Sequence, residues 1–351
     1  MPKKDIAIAG AGIIGLSAAL DLALAGAQVT VFERGLAMHE SSWAAAGMLA
    51  AGDPENPVEL RALSTFSLGL YPDFLASIEH LSGKTIPILS TQTLQGAYSL
   101  PPNAHRLSAE TLQALAPGLQ EDGLKFYLLE EKCFDPRLLG DALVQAVKEA
   151  GVTLLEQTAV NSIESSAEMV HIYTTSGEFA ADDFINASGA WASDLSPIPI
   201  TPRKGQLLLA CHPHLYADQH LTAAVRTPHL YLIPRAEQHV LIGATVEDAG
   251  FDKLVDPAII QSLHEKAADL WPPARDAQVV DAWSGLRPAS PDSLPVIGSL
   301  APHHWLALGH FRNGILLAPG TARLLRQLIL KERLSVDLHH FAPGRFNPKH
   351  A

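Results

Sequence analysis

Apolar and polar positions follow two rhythms along this chain, and the places where the rhythm changes mark its organisation. DIAIAG is a short apolar run closed by glycine, AGIIGLSAALDLALAG is apolar at helical spacing, and AQVTVFE is strand-like again. Residues 5 to 33 therefore predict a strand, a glycine turn, a helix and a second strand, a βαβ unit. From Arg137 to Ala150, Leu138, Leu139, Leu143, Val144 and Val147 trace an amphipathic helix, and VTLLEQTAV at 152 to 160 predicts a strand after it. MVHIYTT and FAADDFINAS flank Ser176-Gly177 as the arms of a hairpin. Between 203 and 246 the rhythm changes: QLLLA, LYLIP and HVLIGATV are strand-like with no long helix between them, which predicts an antiparallel sheet. A helix at 258 to 271 is closed by Pro272-Pro273. Short strands around VIG and WLALGH then lead to a helix at about 320 to 331. No internal repeat or low-complexity segment is present.

The order α/β, antiparallel, α/β implies that the chain leaves a nucleotide-binding core and returns to it. The expected class is α/β, with a Rossmann-like domain from 1–82, 137–201 and 279–351 interleaved with a second domain from 83–136 and 202–278 built on an antiparallel sheet. A length of 351 residues suits two domains. The net charge of −12 and the lack of a Lys/Arg-rich run exclude a nucleic-acid partner. Cys133 and Cys211 are too few for a disulfide framework, and a reducing cytoplasm is expected. The apolar N-terminus resembles a secretory signal, but Asp5, Asp21 and its glycines interrupt it, and no apolar run of about 20 residues predicts a membrane span. Sixteen histidines include Cys211-His212-Pro213-His214, His303-His304 and His339-His340. Without a matching partner cluster these predict solvated loops and no metal.

Chemistry concentrates first at Gly10-Ala11-Gly12-Ile13-Ile14-Gly15, a GxGxxG between strand and helix, with Glu33 at the end of the following strand. Gly10 permits the tight turn, Gly12 lets backbone approach a pyrophosphate, Gly15 allows close packing, and the helix N-terminus attracts phosphate. Glu33 would accept hydrogen bonds from an adenosine ribose. The motif alone does not separate NAD from FAD. The small residues of SSWAAAGML at 41 to 49 permit either close approach to a flat ligand or tight helix packing. In GHFRNGILLAP at 309 to 319, Arg312 and Asn313 stand directly against an apolar run, an unusual position for a charge.

GAGIIGLSAAL with VFERG, SSWAAAGML, INASGAW at 185 to 191, RKGQ at 203 to 206, YLIPR at 231 to 235, GATVEDAGFD at 243 to 252, WSGLRPASPDSLPVIG at 283 to 298 and GHFRNGILLAP together resemble the D-amino-acid-oxidase-type flavoproteins. Within them, the glycine-oxidase branch linked to thiamine biosynthesis is the most similar. The resemblance covers nearly the whole chain and is weakest from 50 to 130. It implies non-covalent FAD, since neither cysteine lies where covalent relatives attach flavin. Gly10, Gly12, Ile14 and Gly15 would line the pyrophosphate turn, and Glu33 and Arg34 would meet adenosine. Ser41, Ser42, Ala46, Gly47 and Met48 would run beside the ribityl chain and flavin. The backbone of Val160 would meet adenine, Gly189 and Trp191 would lie near the phosphates, and His310, Phe311, Asn313, Gly314 and Ile315 would pass along the isoalloxazine.

The resemblance also implies that Arg287 clamps a substrate carboxylate, with Arg312 a second site residue and Tyr231 helping to seat the substrate. A guanidinium fork suits a carboxylate, which it can bind bidentately. Val246 is a position where relatives can differ, which leaves substrate size open. The implied reaction is oxidation of glycine or another small amine, with oxygen as electron acceptor and imine and peroxide as products. Two alternatives stand beside it, a carrier-linked D-amino-acid dehydrogenase and a non-catalytic flavin-binding module. The sequence leaves the preferred amine and a homo-oligomeric state open.

Overall fold

The strand Asp5–Ala9 is buried on both faces, which suits the middle of a parallel sheet covered on each side. In the computed structural model, which describes residues 3–212, 220–236 and 238–346, it is one of six strands. Their order is Val296–Ala301, His304–Leu308, Asp183–Asn186, Asp5–Ala9, Gln28–Phe32 and Thr153–Leu155, all parallel except the first pair. Helices α1 (Ile13–Leu24), α2 (Arg61–Ser82), α4 (Pro136–Glu149) and α6 (Gly314–Ile329) pack beside it, whereas α3 (Ala109–Leu115) and α5 (Pro257–Leu270) belong to the second sheet. A small antiparallel sheet, Val160–Ser165, Val170–Thr174 and Gly177–Ala181, lies on the other side. The mixed α/β class expected from the sequence is the one observed.

The second large sheet has seven strands in the order Gln278–Ala289, Thr201–Cys211, His239–Gly243, Tyr231–Pro234, Ala224–Arg226, Thr93–Ala97 and Lys125–Leu129. It is antiparallel throughout except where Ala224–Arg226 runs beside Thr93–Ala97. α3 and α5 supply its separate apolar core, anchored by the fully buried Trp271 and Phe126. The segment from 279 onward begins in this sheet and ends in the six-stranded one.

Several local expectations change. VTLLEQTAV is not one strand: it pairs only at Thr153–Leu155, turns through Gln157 at φ 54°, and Val160 opens the next strand. The second hairpin arm also divides, with Gly177–Ala181 completing the hairpin and Asp183–Asn186 crossing into the parallel sheet. His304 is buried on a strand, whereas the neighbouring His303 is partly exposed. Pro213 and His214 lie outside the described residues.

The last helix begins at Gly314 and not near 320, with Pro319 inside it. A proline costs a helix its hydrogen bond to the carbonyl four residues back. Here the Tyr71 hydroxyl donates to the Ile315 carbonyl. Ser67 Oγ donates to the Leu316 carbonyl at 2.7 Å and accepts from the Gly320 N–H at 3.0 Å. The partners lie on α2, whose buried face includes Ser64 and Ser67. Those small residues let α2 sit so close that a Cβ on Gly320 would lie 2.8 Å from the Ser67 Cβ.

Candidate active site

The turn after Asp5–Ala9 needs glycine. Gly10 has φ 102°, and a Cβ there would overlap the Ala187 carbonyl. A Cβ on Gly15 would overlap the Gly10 carbonyl, so α1 reaches the turn only because both positions lack side chains. The N-cap residue of α1 is Gly12, which has no side chain to cap it, and a helix leaves its first N–H groups without intrahelical partners. Ser42 Oγ accepts from the Ile13 N–H at 3.0 Å. The carboxylate of Glu33 accepts from the Ala11 N–H at 2.8 Å and the Gly35 N–H at 2.9 Å, which fixes it at the end of its strand.

These groups open into an elongated cavity of about 880 Å³. Of the residues expected at a flavin, Gly10, Gly12, Ile14, Glu33, Arg34, Ser41, Ser42, Ala46, Gly47, Met48, Val160, Gly189, Trp191, His310, Phe311, Asn313, Gly314 and Ile315 all line it. Gly15 does not, and serves packing instead. At one end Arg34 stacks 3.2 Å above the Trp191 ring and pairs with Glu40. Along the side, Arg235 Nη2 donates to the Ala46 carbonyl at 2.7 Å and the Trp283 indole donates to the Ala44 carbonyl at 3.2 Å. A Cβ on Gly47 would overlap the Phe134 carbonyl, so the small-residue segment is held tight against its neighbours. At the other end α6 begins without a side-chain cap, and Gly314 and Ile315 present its positive terminus to the cavity. His310 is buried in that wall with Nε2 3.0 Å from Thr321 Oγ1, and burial pulls its pKa down to about 3.

A dinucleotide fits this arrangement. The first helix terminus and glycine turn suit a pyrophosphate, Glu33 a ribose, the small-residue wall a flat ring, and the second helix terminus charge on the far side of that ring.

Arg287, Tyr231 and Arg312 also line the cavity. Arg287 Nη1 donates to the Thr245 carbonyl at 3.0 Å, and the guanidinium lies flat on Gly205, where any side chain would overlap it. Among the described residues no carboxylate forms an ion pair with Arg287. Burial lowers its pKa and the adjacent Tyr231 opposes the shift. Arginine stays charged nonetheless. Burial raises the Tyr231 pKa to about 12, against the pull of Arg287. Arg312 differs from Arg287, because it pairs with Glu55 and lies 3.6 Å from Asp53.

Several cavity residues carry no sequence signal. Arg226 is buried, with Nε donating to Gln95 Oε1 at 2.6 Å and Nη1 to Glu131 Oε2 at 3.0 Å. Gln95, Asp53, Glu55, Thr227 and His229 also line this end. Gln95, Asp53 and Glu55 come from the stretch of weakest resemblance, and Arg226, Thr227 and His229 from a segment between the recognised motifs. Among the described residues no group of three His, Cys, Asp or Glu side chains is arranged to hold a metal ion, and no helix is long and apolar enough to cross a membrane.

Similar proteins share this architecture. The bifunctional protein ThiO/ThiG of Nostoc sp. is 35% identical over 97% of this chain and 55% of its own length. This chain thus spans about half the length of the bifunctional relatives it matches. The glycine oxidase of Pseudomonas aeruginosa is 32% identical, with 97% of this chain and 99% of that protein covered. The crystal structure of glycine oxidase from Geobacillus kaustophilus matches with a TM-score of 0.89 at 29% identity, covering 97% of this chain and 98% of the other. The model of the FAD-dependent oxidoreductase family matches residues 5–328, and the chain belongs to that family, with FAD as its cofactor.

Proposed function

We propose that this protein oxidises glycine or a similar small amino acid at the carbon bearing the amine. The product imine is hydrolysed in water, for glycine to glyoxylate and ammonia. Oxygen is the electron acceptor, hydrogen peroxide the second product, and thiamine biosynthesis the use. The observation that carries this reading is Arg287, a guanidinium without an acidic partner at one end of the FAD cavity. Such a group favours a carboxylate, and each charge-assisted hydrogen bond contributes about 1.5–3 kcal/mol.

FAD, when bound, supplies the hydride acceptor. Arg287 holds the substrate carboxylate, and the Thr245 carbonyl and Gly205 backbone fix the orientation of the guanidinium. Tyr231 remains a neutral phenol below pH about 12 and can donate a hydrogen bond to the same carboxylate. This places the amine and α-carbon without a protein base, because positioning supplies much of the rate. The α6 N-terminus favours negative charge at the inner end of the cavity. The roles expected of the lining residues Gly10 to Ile315 are part of this proposal, as is non-covalent attachment. So is the division into an FAD-binding domain (1–82, 137–201, 279–351) and a substrate domain (83–136, 202–278), supported by two separate apolar cores. A cytoplasmic location is supported by the free thiols of Cys133 and Cys211.

The test is Arg287→Ala with FAD content measured alongside. A large rise in KM with flavin retained is expected, and unchanged kinetics would remove the assignment. Peroxide formed in step with imine separates an oxidase from a carrier-linked dehydrogenase.

A further inference from the structure

The segment Ala50-Ala51-Gly52-Asp53-Pro54-Glu55-Asn56-Pro57 borders the substrate end of the cavity and is tied to both sides of it. On the side of the seven-stranded sheet, the Gly52 N–H donates to Glu131 Oε1 at 2.7 Å, and Glu131 in turn pairs with Arg226. On the α6 side, Asn313 Nδ2 donates to Asn56 Oδ1 at 2.9 Å, and Arg312 pairs with Glu55. Asp53 sits between these attachments. Its Oδ2 lies 4.0 Å from Arg226 Nε and 3.6 Å from Arg312 Nη2, and its side chain is only 14% exposed.

Charge counting separates Arg226, Arg287 and Arg312, the three arginines at the substrate end of the cavity. Arg226 is satisfied by Glu131 and Gln95, and Arg312 by Glu55. Asp53 supplies a second negative charge facing both, beyond hydrogen-bond distance of either. Three guanidiniums (Arg226, Arg287, Arg312) thus face three carboxylates (Asp53, Glu55, Glu131). Arg287 alone is left for an incoming anion. A substrate with one carboxylate is accommodated, whereas a second carboxylate would meet Asp53 in the space before Arg226 and Arg312. Juxtaposed like charges reject a ligand more effectively than missing contacts do.

We propose that Asp53 is a specificity-determining residue, holding the space between Arg226 and Arg312 against a second substrate carboxylate so that monocarboxylic amino acids are preferred over dicarboxylic ones. This rests on the amine-oxidation reading above. Asp53→Asn keeps the shape, removes the charge, and leaves two guanidiniums facing a gap that a carboxylate can fill bidentately.

Two substrate pairs read the effect, each differing by one carboxylate: sarcosine with iminodiacetate, and D-alanine with D-aspartate. Anaerobic flavin reduction is followed for the wild-type and Asp53→Asn holoenzymes. Within at least one pair, the preference for the dicarboxylate is expected to rise by roughly tenfold or more in Asp53→Asn, chiefly through tighter binding. Asp53→Glu should restore the original preference, which a merely structural role for this residue would not require. Should Asp53→Asn not retain FAD, Glu55→Gln provides the same reading at a more exposed position by freeing Arg312, and a smaller shift in the same direction is expected. Flavin bleaching by amines with both ratios unmoved overturns this inference alone. Wild-type flavin that none of the four compounds bleaches overturns it together with the functional reading.

Discussion

Gly205→Ala moves the proposed substrate clamp without removing it. Gly205 lies in the strand Thr201–Cys211, and a Cβ built there would overlap Cζ and both terminal nitrogens of Arg287. Restoring ordinary contact requires the guanidinium to shift by about 1 Å or more, since non-bonded heavy atoms settle near 3.5–4.0 Å apart. A shift of that size breaks the paired alignment with a carboxylate and forfeits about one charge-assisted hydrogen bond. The expected loss is about 1.5–3 kcal/mol, or roughly 10- to 150-fold in kcat/KM. The assay is steady-state peroxide production across substrate concentration, with FAD content and melting temperature measured on the same preparation. Because the obstructed atoms are the end of a long side chain, the fold and flavin should survive. Wild-type kcat/KM with full flavin content would refute the claim that Arg287, in this position, holds the substrate.

Other consequences follow from single sites. Gly10→Ala combines a positive φ with a clash against the Ala187 carbonyl, so the protein should purify without yellow colour; a fully flavinated variant would contradict the pyrophosphate turn. Tyr231→Phe should lower kcat/KM by roughly 10- to 150-fold, the worth of one hydrogen bond to a charged group, about 1.5–3 kcal/mol. Because burial raises the Tyr231 pKa to about 12, the wild-type pH profile should carry no tyrosine ionisation below about pH 11. Burial lowers the pKa of His310 to about 3 and of His304 to about 4. Unfolded histidines take up protons near pH 6.5, so this stability is fully present above that pH and is lost as pH falls toward the folded values. Denaturant unfolding should show up to about 4 kcal/mol less stability at pH 5 than at pH 7.5, roughly half from each histidine, and His310→Gln should remove part of the difference. A flat profile would contradict their burial.

The nucleotide-binding half was legible because its chemistry is local. A glycine turn needs particular residues at particular spacings, and the predicted strand, helix and strand of residues 5 to 33 correspond to Asp5–Ala9, Ile13–Leu24 and Gln28–Phe32. Helices with one continuous apolar face were legible too: 137 to 150 and 258 to 271 were expected, and Pro136–Glu149 and Pro257–Leu270 are found. α2 escaped notice because serines interrupt its buried face, and the early start of α6 because Pro319 is tolerated only through hydroxyls on α2. Neither compensation leaves a trace in the local sequence. The same holds for Arg226, Glu131 and Asp53. Each is a charged residue whose burial follows from a partner far away in the chain.

Anaerobic titration of the purified protein tests the central claim most directly, with its absorption spectrum followed during addition of glycine, sarcosine, D-alanine or D-proline. A yellow protein whose flavin band is bleached by at least one of them, and restored with peroxide when oxygen is admitted, is the predicted result. A colourless protein, or a flavin that none of these amines reduces, would contradict it.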